Sequence, residues 1–336
     1  LKNIINSTTA HMNWKKTVKR KLRQPFETFG FTLLLLSIPL FPRWLIRLHA
    51  QCLARITIHF FPSHRKTAHH NLDAVYKESR TPKEKKAILT QSTASFILTF
   101  LDLIWFAFRT PQRIKKYIDT SALDAELESS LPSTIFITAH LGNWELLGQL
   151  GSSYPFPLTS VAAPIKNQAI NRLLNQRREK NGQQIISTHG AIKKMLSVLH
   201  KGANIGLLID QPISPKKGGI PIHFIHSTTY IAPTAALLAY RTQSPLRFIY
   251  CLPQKKGHYQ ISLSDPLLPP PINRIHRTIL STPSPKLLPT NYPKPFLNIH
   301  TPGSGPTPIG KNTPHKTPIN HPLKNLVFSH PTSIFT

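Results

Sequence analysis

Between residues 135 and 263, short apolar runs alternate with amphipathic stretches of ten or so residues. Ile135–Ala139, Leu158–Ala163, Gln184–Ser187, Ile205–Ile209, Ile220–Phe224, Leu246–Cys251 and Tyr259–Leu263 read as strands. Gln168–Lys180, Ala191–His200 and Ala232–Arg241 read as the helices between them. Residues 45–125 are mostly helical in pattern and are expected to cover one side of the strands. Strands alternating with helices predict a layered α/β fold with a largely parallel β-sheet flanked by helices. No internal repeat is visible. The main domain is placed at 45–265, between two segments of different character.

Upstream, Trp14, Val18 and Leu22 share one face of a short basic helix candidate, which reads equally as a solvated basic helix. Phe29–Phe41 is an apolar run, shorter than the ~20 residues that span a bilayer and interrupted by Pro39. No small-residue cleavage site is evident, and Pro42-Arg43-Trp44 follows directly. Residues 1–44 are therefore expected to form an uncleaved, membrane-anchoring helical segment, with basic flanks suited to anionic lipid headgroups.

Charge sharpens this picture. The chain of 336 residues carries 42 Lys+Arg against 13 Asp+Glu, a net charge of +29. That balance calls for an anionic partner: nucleic acid, membrane surface or an acidic protein. No aromatic interleaving or known module accompanies the basic residues, so nucleic acid is the weaker reading. Cys52 and Cys251 are the only cysteines, and they imply a reducing compartment rather than a disulfide framework. No histidine spacing suggests a metal, and no cofactor is expected.

The last acidic residue is Asp265. Residues 266–336 hold half of the 32 prolines and no hydrophobic periodicity. Such a Pro-rich basic tail lacks the apolar pattern that offsets chain entropy, and composition reads it as disordered.

The candidate chemistry lies in Ile135-Phe-Ile-Thr-Ala-His140-Leu-Gly-Asn-Trp-Glu145. A strand-type run ends at a histidine, Gly142-Asn143 supplies a turn, and an acidic residue opens a helix-like segment. Open α/β sheets bind ligands at the carboxyl ends of their strands. His140 and Glu145 can meet only if the chain curls back, which Gly142 permits. A histidine oriented by a carboxylate is the working part of a general base. By spacing alone, His140 is as readily a cap or a surface residue, Arg178 a charged helix face, and Asp210 a cap of the next element.

His140-Leu-Gly-Asn-Trp-Glu145 resembles the His-x4-acid motif of glycerolipid-type acyltransferases, in the form found in the late acyltransferases of lipid A biosynthesis, the lauroyl/myristoyl acyltransferase family. Other segments resemble that family in order: Asn71-Leu72, Arg177-Arg178 before Gly182, Asn204–Asp210-Gln211, and Ile220–Phe224 followed by Thr234–Ala239. The resemblance covers roughly residues 25–265. It implies a glycerolipid-acyltransferase-like fold and a membrane-associated enzyme that moves a fatty acyl chain from acyl carrier protein to a hydroxyl of a lipid A precursor. It implies His140 as base, Glu145 as its orienting acid, and an oxyanion site at the backbone of Gly142 and Asn143. Arg178 would bind phosphate, and Asp210 would position Arg178 or a sugar hydroxyl. The implied location is the cytoplasmic face of the cell inner membrane, with anionic lipids as further partners.

The family often has an arginine before a proline after the second strand; this chain has Ala163-Pro164, with Lys166 nearby. The family also usually ends in a helix and a Trp-x-Trp-x-His-x-Arg-like segment. In its place stands Thr301–Lys311, whose codons can be chosen so that a two-base shift yields that ending. The tail is thus expected to be a shifted reading frame, which would leave this chain's activity in question. The alternatives are an acyltransferase for another glycolipid or glycerolipid, and, in a different class, a basic nucleic-acid-binding or inactive truncated protein.

Overall fold

In a computed structural model, the structure describes residues 22–127, 133–150, 154, 158–180, 182–224 and 227–271. The basic stretch 14–21 and the tail beyond 271 lie outside the described residues. The chain opens with helix α1 (22–37) and a single 3₁₀ turn, Ile38–Leu40. Then come α2 (Arg43–Phe60), α3 (Pro62–Tyr76), α4 (Pro82–Trp105), α5 (Thr110–Tyr117), β1 (Ile118–Asp119) and α6 (Ser121–Leu127). The second half alternates: β2 (Ile135–Thr138), α7 (Trp144–Gln149), β3 (Leu158–Ala162), α8 (Gln168–Lys180), β4 (Gln183–Ser187), α9 (Ala191–His200) and β5 (Asn204–Leu208). It closes with β6 (Ile220–Phe224), β7 (Ser227–Ile231), α10 (Thr234–Thr242), β8 (Leu246–Pro253) and β9 (Tyr259–Leu263).

Seven strands form one sheet in the order β1-β9-β8-β2-β5-β3-β4. The run β8-β2-β5-β3-β4 is parallel throughout, and only the β8–β9 pair is antiparallel. The expected mostly parallel α/β architecture is present. One strand departs from it: β6 pairs with β7 in a separate antiparallel hairpin. Only two residues separate β6 from β7, enough for a hairpin but not for a crossover, which needs a dozen or more residues.

Two hydrophobic clusters lie on opposite faces of the sheet. Alternation along β2 sends Ile135 and Ile137 to one face and Phe136 to the other. The first face packs on Met195, Leu199 and Leu238 of α9 and α10. The second packs on Ile46 of α2, Leu101 and Ile104 of α4, and Leu146 of α7. The helical first half therefore covers one side. Helix α4 starts with a capping box: Thr81 accepts from the Glu84 amide, and Glu84 accepts from the Thr81 amide. Among the described residues it is the helix long and apolar enough to cross a membrane, yet eight of its residues are buried within this fold.

Helix α1 has two distinct faces. Leu35 is buried with Ile38 of the following turn in the core. Phe26, Phe29, Leu33 and Leu36, followed by Leu40, lie outward at three- and four-residue spacing, each more than half exposed. The helix thus begins before the apolar run Phe29–Phe41, whose side chains divide between the core and an outward face. Asn167, in the turn after β3, holds the inner side of α1 by donating to the Gln24 carbonyl (3.2 Å) and Glu27 (3.2 Å).

Candidate active site

Strand register builds the centre of the site. β2 and β5 are parallel neighbours with Thr138 opposite Leu208. The ladder continues one step further, with the Ile209 amide donating to the Thr138 carbonyl. Two residues beyond each strand, His140 and Asp210 are brought together at the carboxyl edge of the sheet. His140 Nδ1 lies 2.9 Å from one Asp210 oxygen, and the His140 amide donates to the other at 2.8 Å. This double contact fixes the ring, and both groups are largely covered, with side-chain exposures of 11% and 22%. Trp144 meets the imidazole edge to face, 4.6 Å between centroids. Phe96 and Phe100 of α4 pack against Trp144 at 5.6 and 6.3 Å.

The carboxylate on the imidazole is therefore Asp210, which corrects the expected assignment of that role to Glu145. Glu145 pairs instead with Arg178. Arg178 Nη2 donates to one carboxylate oxygen at 2.7 Å and Nε to the other at 3.1 Å, while Nη1 donates to Asn175 at 3.2 Å. Burial disfavours the Arg178 cation, and the Glu145 carboxylate more than reverses this, leaving its pKa above the ordinary value. The fork expected to grip phosphate is occupied by a carboxylate, and Asp210 is committed to His140. The physical reason is local. Register points residues 140 and 210 the same way, whereas Glu145 lies beyond the turn, on the first turn of α7.

The turn itself is tightly specified. Gly142 has φ +65°, and a Cβ there would stand 2.1 Å from the Cys251 carbonyl oxygen. Asn143 caps α7, its side-chain oxygen accepting from the Leu146 amide at 3.2 Å. The Asn143 amide donates to the Cys251 carbonyl at 2.8 Å. That amide is spent on the β8 backbone, which removes it from the expected oxyanion site. Cys251 is buried and Cys52 exposed, and both are free thiols.

Sequence reasoning passed over a buried polar cluster under this turn. Asp102 of α4 is fully buried and accepts from Arg43 through both of its oxygens. It also accepts from Asn143 Nδ2 (3.0 Å) and from the Tyr259 hydroxyl (2.6 Å). Burial opposes the Arg43 charge, and Asp102 outweighs it, raising the pKa above its usual value. Burial beside Asp102 keeps the Tyr259 phenol well above its usual pKa, so it stays a donor. The one hint in sequence was an aspartate inside the apolar last turns of α4, Phe96–Trp105, since such a residue must find partners.

Among the described residues, no three His, Cys, Asp or Glu side chains converge as metal ligands would. Among curated proteins none matches the chain. The family model for bacterial lipid A biosynthesis acyltransferases matches residues 15–270, a segment that holds the whole His140–Asp210 site and most of the chain. The chain belongs to the bacterial lipid A biosynthesis acyltransferase family.

Proposed function

We propose that the protein transfers a fatty acyl chain from acyl carrier protein to a hydroxyl of a lipid A precursor, with a His140–Asp210 pair as the base. The observation that carries this reading is the double contact of Asp210 with His140, at a parallel-sheet edge inside the segment matched by the family. Asp210 fixes the Nδ1–H tautomer, so proton transfer falls to Nε2. Nε2 takes the acceptor hydroxyl proton as its oxygen bonds to the thioester carbon. The resulting tetrahedral intermediate collapses, the carbon–sulfur bond breaks, and the thiol of the carrier leaves with the proton from the imidazolium. Asp210 stabilises that cation in between. Trp144, Phe96 and Phe100 offer an apolar wall beside the reacting atoms for the acyl chain.

In the same reading the fold is of glycerolipid-acyltransferase type, and the enzyme sits on the cytoplasmic face of the inner membrane. Support comes from the outward stripe of α1 and from the exposed Trp44 and Leu48 of α2. A basic residue lies close to that surface: Arg113 donates to the Pro39 carbonyl and lies over the Phe108 ring. An apolar strip with a basic neighbour suits an anionic lipid surface. The basic chain likewise suits an acidic carrier protein. The test is transfer of a labelled acyl group from acyl carrier protein to a purified lipid A precursor by the full chain in anionic vesicles. Transfer that depends on His140 is expected; transfer to a glycerolipid acceptor alone would move the enzyme to another substrate.

A further inference from the structure

The turn that carries His140 and leads into α7 is held from below by α4. Thr99 Oγ1 lies 3.3 Å from the Gly142 carbonyl and 3.1 Å from the Ser95 carbonyl of its own helix, sharing its one proton between them, and one turn on, Asp102 takes the Asn143 side chain at 3.0 Å. Asp102 is itself oriented from two further elements. Arg43 of α2 donates to it and, through Nε, to the Gly257 carbonyl at 3.1 Å. Tyr259 of β9 donates to it at 2.6 Å and lies 3.3 Å from Asn143 Nδ2. Arg43 is also packed over the rings of Trp105, Phe106 and Tyr259.

A buried ion pair is an expensive way to fill space, since apolar side chains of similar volume are often as stabilising or more so. What apolar groups cannot supply is direction. The Asn143 amide group must point its oxygen at Leu146 and its nitrogen at Asp102, and only a directional acceptor enforces that choice. Between His140, held by Asp210, and Glu145, held by Arg178, Asn143 is the anchored residue of the turn. Catalytic groups displaced by about 1 Å lose on the order of 10²-fold in rate.

We propose that Asp102, oriented by Arg43 and Tyr259, is a positioning residue for the reaction: through Asn143 it sets the geometry of the turn that carries His140. The proposal rests on the acyl-transfer reading only for its kinetic readout.

The test uses the full chain with Arg43→Met/Asp102→Leu, which removes both charges together, and with Tyr259→Phe. Folding is checked by circular dichroism. In the folded double variant, kcat is expected to fall by more than about tenfold with KM for donor and acceptor within about twofold. Amide hydrogen exchange at His140 and Asn143 is expected to accelerate while β2 and β5 stay protected. A folded double variant with unchanged exchange at both amides, or with kcat within about threefold of wild type, overturns the proposal. If the double variant does not fold, Tyr259→Phe decides. It is expected to lower kcat by about threefold and to speed exchange at Asn143, and no change in either overturns the proposal. If the wild type transfers no acyl group, the acyl-transfer reading fails, and exchange alone decides the positioning role.

Discussion

His140 and Asp210 share two contacts, one through the ring and one through the backbone, and this pairing separates two neighbouring carboxylates by task. His140→Ala is expected to lower kcat by about 10² to 10⁴ with the fold intact, because it removes the base. Asp210→Asn is expected to cost about 10²-fold or more, since an amide no longer selects the Nδ1–H tautomer or stabilises the imidazolium. Glu145→Gln acts differently. It weakens an ion pair whose side chains are only 13% and 10% exposed, and leaves the Arg178 cation short of its partner. Its main effect is expected in stability, about 1–3 kcal/mol by denaturant titration, with a smaller loss of kcat than Asp210→Asn. Measured side by side, the two variants rank the carboxylates; the reverse order in kcat would return the orienting role to Glu145.

Helices α1 and α4 carry the element-scale consequences. The outer stripe of α1 has large apolar side chains left in water, Phe26 at 79% and Phe29 at 72% exposure. Single exposed apolar residues are ordinary, but a periodic row of them marks a binding surface. Phe29→Asp/Leu33→Asp is expected to shift the protein from the vesicle pellet to the supernatant in sedimentation with anionic vesicles. Both positions point away from the core, so the thermal midpoint should change little, and persistent pelleting of the double variant would locate lipid contact elsewhere. The capping box at the start of α4 gives a different expectation. Thr81→Ala removes one cap bond and is expected to destabilise the protein by about 1 kcal/mol without touching kcat.

The whole molecule is strongly basic, and its family match ends at residue 270, five residues after the last acidic one. Vesicle association is expected to weaken as salt rises from about 0.1 M to 1 M, where the Debye length falls from about 10 Å to 3 Å. An association insensitive to salt would mean that apolar insertion alone holds the protein. We propose that residues from about 266 onward arise from a shifted reading frame, because the acidic residues stop at Asp265 and prolines crowd in after it. Sequencing the gene tests this directly. An alternative frame across codons 266–311 is expected to encode an amphipathic helix followed by a Trp-x-Trp-x-His segment, and its absence would show the tail to be genuine.

The sequence by itself determined the periodic elements and the composition. Ile220–Phe224, Tyr259–Leu263, Gln168–Lys180 and Ala191–His200 were legible to the residue, because apolar spacing and flanking turn residues are local signals. So was the strand–turn–helix around His140, whereas Arg178 and Asp210 were drawn into the site only by the family resemblance. Tertiary structure decided which of these meet. Asp210 lies seventy positions from His140, and only the β2–β5 register makes them neighbours, while Glu145 finds Arg178 on another helix. β7 and the two-residue β1 exist through pairing rather than pattern. The Arg43–Asp102–Tyr259 cluster joins three distant segments. Local sequence sets conformational preference over a few residues, but ion pairs and hydrogen bonds between remote side chains depend on where the packed sheet and helices bring them.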